Sequence, residues 1–429
     1  DFHRGLVGGE WDLVVHSWKD LPVEERQGTE LIATLPREDA RDVLLFKKTS
    51  LNKKTLSIFT SSPRREYNLG ACLPELLPMK PTQIKFEPVR GNVQTRVRKL
   101  MEGPQDGLVV AKAALDRLLS AERVEFRATR EFLLSSLQEL QWMVLPLSLN
   151  PAAAAQGALA VEARAGRDDL KKLFAGVHCA STFACVAEER RLLKGWGGGC
   201  HQKIGVAVLD RDYGRVVFAR GIRDNGEIID RREVLQSRAV TPGSASFVTD
   251  AWFEREAIAV PAVTGNAHWV SKAEALPSSM PMDSNSVVWT SGLAAWRALA
   301  ARGIWVNGSS ESLGEQEDQR IASLAGREMA WVKWTHEAGE PHATGKTVAS
   351  YRLKLATQRP VLHPEDRHFF WRSGSAFREA LKHYPWLIER DNWSGPGHTH
   401  RAITELAGKA HIALSYEEWQ KQMKKGTSR

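Results

Sequence analysis

The sequence predicts an α/β protein: two α/β domains, a small α+β domain after them, and a further α/β region at the C-terminal end. Three observations predict it. From about Val43 to Leu119 short apolar strands alternate with segments of helical period, as in LSIFTSS, RREYNLGACL, IKFEPVRG, VQTRVRKLME and GLVVAKAALDRLL. That spacing is the mark of α/β units with largely parallel sheets. After the Gly-rich turn GWGGGC, the segments IGVAVLD, RVVFARGI and EIIDRREV alternate like an antiparallel meander. Near the end, WTSGLAAWRAL (Trp289–Leu299) and WRSGSAFREAL (Trp371–Leu381) share W-x-S-G-x-A, each after apolar residues. This is strand, tight turn and helix, used twice, and it predicts two similar lobes.

Taken in order, residues 1–40 read as a helix end, the strand DLVV, a loop, the strand LIATLP and the charged turn REDARD. Glu122 to Leu140 is charged and helical in period, as a surface insertion would be, and Leu159-Ala160-Val161 is another strand. Residues 170–195 read as an amphipathic helix. LPSSMPMD (Leu276–Asp283) is rich in Pro and Ser and reads as a linker.

Composition narrows the function. Of 429 residues, 42% are hydrophobic and 26% charged, which excludes a disordered chain. No apolar run is long enough to cross a bilayer, no signal peptide is visible, and four cysteines are too few for a disulfide scaffold. A monomer in the reducing cytoplasm, with no membrane partner, is the expectation. The net charge of +8 calls for anionic partners. The arginines fall in short spaced pairs within apolar segments, which fits carboxylate or phosphate pockets better than a nucleic-acid-facing stripe. The first residue is Asp1 rather than Met, so a fragment or processed product is expected.

Four segments carry chemistry. In DLVVHSWKDLP an apolar run gives way to Lys19 and Asp20, either a solvated turn or a catalytic carboxylate beside an anion-binding lysine. In TSSPRRE, Ser61 and Ser62 precede Arg64 and Arg65 at a helix start, where backbone N–H groups and guanidiniums can hold an anion. VRGNVQTRVRKL repeats the arrangement with Arg90 and Arg96 around a Gly-Asn turn. In GWGGGCHQKIG, three glycines present Cys200 beside His201 and Lys203, where a thiol could carry a covalent group. Zinc on His178, Cys179, Cys185 and Cys200 is an alternative, but the spacing matches no compact zinc pattern, and no metal is expected.

HSWKDLP, PREDARDVL, TSSPRRE, RGNVQTRVRKL, PAAAAQGALAVEAR, EERRLL and GGGC occur in the order expected of hydroxymethylbilane synthase, also called porphobilinogen deaminase. Over roughly the first 250 residues the chain resembles that family. The resemblance implies two periplasmic-binding-like α/β domains facing across a cleft, and an α+β domain whose cysteine, Cys200, bears a thioether-linked dipyrromethane cofactor. Porphobilinogen would be the substrate and Asp20 the catalytic aspartate. Lys19, Ser61, Ser62, Arg64, Arg65, Arg90, Arg96 and Arg117 would bind the carboxylates of substrate and cofactor. The domains would then be 1–40 completed by about 145–168, 41–144, and 169–250, with a linker at 251–283. The sequence departs from the family in lacking its first strand and a basic-hydroxyl motif. Trp18 stands where a smaller apolar residue is usual, and HQKIG follows the cysteine where QVPIG-like sequences are common.

Within 284–429, GPGHTHRAITELAG (Gly395–Gly408) after FFWRSGSAF resembles the second half of uroporphyrinogen-III synthase. That implies Ser373, Gly374 and Thr399 at substrate carboxylates. The plainer alternative is an α/β lobe whose Ser-Gly turns only cap helices. For the whole chain the alternatives are an inactive fragment, or a carboxylate-binding protein of the same fold without catalysis.

Overall fold

The computed structural model describes residues 2–24, 26–197, 203–235, 241, 243–248, 251–261, 263–280, 282–283, 285–341 and 345–426. The chain divides into two compact units, residues 1–231 and 232–429.

The first unit runs α1 (Phe2–Gly8), β1 (Leu13–Ser17), β2 (Thr29–Thr34), β3 (Asp42–Lys47), β4 (Thr55–Phe59), α2 (Pro63–Leu76), β5 (Gln83–Glu87) and α3 (Val93–Glu102). It continues through β6 (Gly107–Ala111), α4 (Lys112–Leu119), α5 (Arg127–Glu139), β7 (Leu140–Val144), β8 (Leu159–Arg164), α6 (Asp168–Phe174) and α7 (Ala180–Gly195). A meander of β9 (Gly205–Arg211), β10 (Gly214–Ile222) and β11 (Ile228–Val234) follows.

Three sheets result, in orders β1-β8-β2, β5-β4-β6-β3-β7 and β11-β10-β9. The sheets are less parallel than the sequence predicts. β4 lies parallel to β5 and β6, but β3 runs antiparallel to β6 and β7, and β8 antiparallel to β1 and β2. Parallel neighbours need a crossover helix between them. α2 and α3 supply it for β4, β5 and β6, whereas β3 arrives from the first sheet through an irregular loop. Glu122–Leu140, read as an insertion, is integral: α5 packs on α3 and α4, buries Leu133, and leads directly into β7.

Several buried charges of this unit are paired. The Arg37 guanidinium forks onto Glu189 of α7 (2.5 and 3.0 Å), and the same carboxylate accepts from Ala155 N and Val208 N, tying three segments together. Asp39 accepts from Arg41 (2.6 Å) and lies 3.6 Å from buried Lys112. Burial alone would raise the Asp39 carboxyl, but Arg41 and Lys112 overcome it and hold it down at about 2. A folded pKa below the unfolded one stabilises above the unfolded pKa and loses that contribution as pH falls through the folded value. Urea midpoints are therefore expected to fall between about pH 4 and pH 2, with Asp39 contributing roughly 2 kcal/mol of the loss. An Asp39→Asn variant should show a correspondingly shallower acid limb.

The second unit contains β12 (Ala245–Val248), β13 (Phe253–Ala257), β14 (Ala267–Val270), β15 (Val287–Thr290), α8 (Leu293–Ala301), β16 (Gly308–Ser309) and α9 (Ala322–Ala325). β17 (Trp331–His336), β18 (Lys346–Leu355), β19 (His368–Trp371), α10 (Gly374–His383), β20 (Asp391–Ser394), α11 (His398–Ala407), β21 (His411–Ile412) and α12 (Tyr416–Gly426) complete it. Its sheets run β13-β18-β17-β14-β15-β16 and β12-β19-β20-β21.

The two W-x-S-G-x-A segments form β15–turn–α8 in one sheet and β19–turn–α10 in the other. Their tryptophans are fully buried, and each indole N–H has a partner: Trp289 donates to Ser310 Oγ (3.1 Å) and Trp371 to Asn392 Oδ1 (2.8 Å). Residues 251–283, read as a linker, instead hold β13 and β14, and Ala267–Val270 is buried throughout. The Pro/Ser composition at Leu276–Asp283 drew that boundary too early. Ala245–Val248, assigned to the α+β domain, pairs in parallel with β19 in the second unit. No helix among the described residues is long and apolar enough to cross a membrane.

Candidate active site

β1 ends at Ser17, and Trp18–Asp20 form a single 3-10 turn. Trp18 is the anchor. It is 2% exposed, its backbone N–H donates to Ala158 O (2.9 Å), and its ring lies 5.3 Å from Phe183 among Ala155, Ala158, Ala160 and Val186. The bulky side chain thus packs into the core beneath the turn. Lys19 and Asp20 follow on its far side, the lysine half-buried and the aspartate exposed.

The start of α2 carries the second element. Ser62 is the N-cap and Pro63 takes the first turn, where its missing N–H costs nothing. Ser61 Oγ donates to Val89 O and accepts from Val89 N (2.8 and 2.9 Å), binding this turn to the end of β5.

The sequence reading puts Arg64 and Arg65 against substrate carboxylates. In the structure both are buried and spend their donors on Asp42 of β3. Asp42 is fully enclosed and accepts from Arg64 Nη2 (2.9 Å), Arg65 Nε (3.0 Å) and Nη2 (2.6 Å), Asn150 Nδ2 (3.0 Å) and Gln156 Nε2 (2.9 Å). Burial would raise its carboxyl, yet Arg65 and Arg64 hold it far below the usual carboxylate range. Two guanidiniums face one carboxylate, so the hub keeps an excess positive charge. Arg64 also donates to Pro151 O (2.6 Å).

That excess reaches the Lys19 turn. Burial lowers the Lys19 ammonium; Asp20 and Asp42 oppose the shift, while Arg65 and Arg64 add to it. Arg96, on α3, is likewise lowered by burial and then by Arg65. Lys19, Asp20, Arg64, Arg65 and Arg96 therefore share one electrostatic neighbourhood.

α3 starts from a built turn. Asn92 caps it by accepting from Thr95 N (2.8 Å), and Arg96 Nε donates to Gly91 O (2.7 Å). Gly91 has φ 115°, and a Cβ there would meet Thr95 Cγ2 at 2.7 Å, so only glycine fits. Arg90 stands exposed just before this turn, and Arg117 stands exposed on α4. Neither belongs to the Asp42 hub. Sequence reasoning missed Asp42, Asn150 and Gln156; the available signal was an aspartate opening the otherwise apolar strand DVLLF.

Cys200 and His201 lie outside the described residues, and Lys203 is exposed. β9, which opens five positions past Cys200, begins against the hub: a Cβ on Gly205 would lie 2.2 Å from Pro151 O and 3.0 Å from Arg64 Cδ. Of the other thiols, Cys72 and Cys185 are buried, and burial pushes Cys185 up to about 11. No group of three or more His, Cys, Asp or Glu side chains that could hold a metal is found among the described residues.

The second unit has its own basic cleft, with a cavity of about 220 Å³. Ser373, Gly374 and Thr399 all line it, together with Lys272, Arg372 and Arg378. Ser373 Oγ caps α10 by accepting from Ala376 N (3.3 Å). Three residues picked from sequence are thus brought to one wall, at the starts of α10 and α11.

Known proteins share the sequence of the first unit. Residues 1–172 match the family model "Porphobilinogen deaminase, dipyromethane cofactor binding domain". The chain is similar to the porphobilinogen deaminase of Chromobacterium violaceum, 38% identical over 208 residues, 48% of this chain and 59% of that protein. For the Streptococcus sanguinis porphobilinogen deaminase the figures are 35% over 236 residues, 53% of this chain and 69% of that protein. For that of Stenotrophomonas maltophilia they are 35% over 247 residues, 57% of this chain and 72% of that protein. The chain therefore spans between 59% and 72% of these relatives' length.

Proposed function

The chain belongs to the porphobilinogen deaminase family, and from that membership we propose that it is a hydroxymethylbilane synthase of tetrapyrrole biosynthesis. In this reading it joins four porphobilinogen molecules head to tail on a dipyrromethane primer attached to Cys200, releasing ammonia at each addition. The observation that carries the proposal is the convergence of Lys19 and Asp20 with Arg64, Arg65 and Arg96 beside the starts of α2 and α3.

The residues fit the group. Pyrroles bearing acetate and propionate need several cationic or N–H donors and one carboxylate, and the cluster offers an excess of positive charge, two helix N-termini and Asp20. The dipyrromethane, when bound, would supply the nucleophilic pyrrole carbon for the first unit, and each later unit would add to the terminal pyrrole of the one before it.

The protein's own groups do the rest. Lys19 and Arg96 bind carboxylates. Arg64 and Arg65 act through Asp42, fixing the start of α2 and lending it their excess charge. Asp20 faces the pyrrole nitrogens, offsets the positive charge that develops on the substrate as ammonia leaves, and accepts the proton the new bond releases. The start of β9 against Pro151 and Arg64 anchors the chain just past Cys200 close to that charge. Purified protein is expected to carry a covalent dipyrromethane on Cys200, read by peptide mass spectrometry. An unmodified Cys200 in protein that turns over porphobilinogen would contradict the proposal.

For the second unit we propose a uroporphyrinogen-III synthase-like site that takes the linear tetrapyrrole through its carboxylates. The supporting observation is that Ser373, Gly374 and Thr399 line one cavity with Lys272, Arg372 and Arg378. A cyclase attached to the polymerising enzyme would capture a product that otherwise closes spontaneously to the wrong isomer. Porphobilinogen incubated with the full chain should give type III uroporphyrinogen, and Arg372→Ala should return the product toward type I. A type I product from the unaltered chain would refute this second reading.

A further inference from the structure

The basic cleft of the second unit already holds two carboxylates of its own. Glu315 comes from the loop after β16, where Glu311 and Ser312 take left-handed backbone angles (φ 52° and 60°). Its Oε1 lies 2.5 Å from Lys333 Nζ on β17, and its Oε2 lies 2.6 Å from His398 Nε2 at the start of α11. Glu340, just past β17, meets the other nitrogen of the same ring, His398 Nδ1, and lies 3.3 Å from Arg401 Nη2.

Both His398 nitrogens thus face carboxylates, and Arg401 Nη2 lies against His398 Nδ1 as well. His398 adjoins Thr399, and Glu315, Glu340, Lys333 and His398 all line the same cavity as Ser373 and Gly374. Burial would raise the Glu315 carboxyl, but His398 and Lys333 hold it below the ordinary glutamate value. Lys333, the most deeply set cation of this anion site, is therefore already matched by a glutamate from the protein itself.

Resting on the reading of this cleft as a polycarboxylate site, we propose that Glu315 and Glu340 are built-in competitors. They hold Lys333, His398 and Arg401 and must be displaced by the carboxylates of an incoming polycarboxylate. The pairing keeps Lys333 from being buried without a counterion. It also excludes weakly charged ligands, because a monocarboxylate replaces only one of the two contacts. Only a ligand with several carboxylates, spaced to reach both, offsets the cost of displacement.

Binding of uroporphyrin, a stable fluorescent octacarboxylate, to the full chain tests this. The double variant Arg372→Ala/Arg378→Ala serves to isolate binding at the second unit. The Glu340 side chain is half-exposed, so Glu340→Gln leaves the Lys333–Glu315 pair intact. It is expected to tighten uroporphyrin binding about threefold, as for loss of one partly exposed ion pair, whereas Glu340→Asp, which keeps the charge, stays near the unaltered protein. Glu315→Gln should tighten binding further if the variant keeps its near-UV circular dichroism. Should the unaltered protein bind better than the double variant while Glu340→Gln binds no tighter, the competitor role is overturned and the cleft reading stands. Equal binding by the unaltered protein and the double variant overturns both.

Discussion

Asp20→Asn is expected to lower the rate of porphobilinogen consumption by about three orders of magnitude while leaving the fold intact. The substitution keeps shape and hydrogen-bonding capacity but removes a negative charge on the exposed side of the Lys19 turn. In the proposed reaction that charge offsets the positive charge that develops as ammonia departs, and an amide can neither offset it nor accept the proton. Stability should change little. Asp20 is exposed, whereas the turn is held by Trp18 in the core and by its backbone N–H bond to Ala158. Rates by substrate depletion, alongside unchanged urea unfolding, separate the chemical role from a structural one. Asp20→Glu should recover part of the activity, because the charge returns at a displaced position.

The second large effect is on stability. Asp42→Asn is expected to cost on the order of 3–5 kcal/mol, because it leaves two buried guanidiniums without a counterion. Asp42 joins β3 to α2 through Arg64 and Arg65, and to the 150–156 segment through Asn150 and Gln156. Its loss should therefore loosen the start of α2, and catalytic rate should fall with stability. The pH dependence follows from the direction of the Asp42 shift. A carboxyl lowered on folding stabilises above its unfolded pKa, about 3.9, and loses that contribution as pH falls through the folded value. The difference in urea midpoint between variant and unaltered protein should thus be constant from about pH 5 to 8 and shrink only in strong acid. A midpoint within experimental error of the unaltered protein at neutral pH would show that the hub does not hold the unit together.

The turns that carry the candidate site were legible in the sequence because they are local. A strand ending in HSWKDLP, and helices starting at SSPRRE and GNVQTR, announce their turns through capping residues, glycine and proline, and the structure brings these turns together. The role of Arg64 and Arg65 was not legible, because it depends on a partner 22 and 23 positions earlier along the chain. An arginine pair at a helix start looks the same whether it faces a ligand or a buried aspartate. The packing of Trp18 was not legible for the same reason, since its pocket is built by Phe183 and Val186 of α7. Strand direction was misread where β3 enters without a crossover helix. The segment 251–283 was misread because proline and serine near its end outweighed the short buried run Ala267–Val270. In the second unit, local turns again marked Ser373, Gly374 and Thr399, but Glu315 and Glu340 reach the cleft from distant loops and left no trace in the pattern.

The central claim is that the Lys19–Asp20 turn and its arginine neighbourhood extend a chain attached to Cys200. It is tested most directly by intact-protein mass spectrometry after adding a few equivalents of porphobilinogen. The expected spectrum is a ladder above a dipyrromethane-bearing base mass, each step equal to one porphobilinogen less ammonia, absent in Cys200→Ser and stalled at the base mass in Asp20→Asn. A single unmodified mass while porphobilinogen is being consumed would contradict the claim.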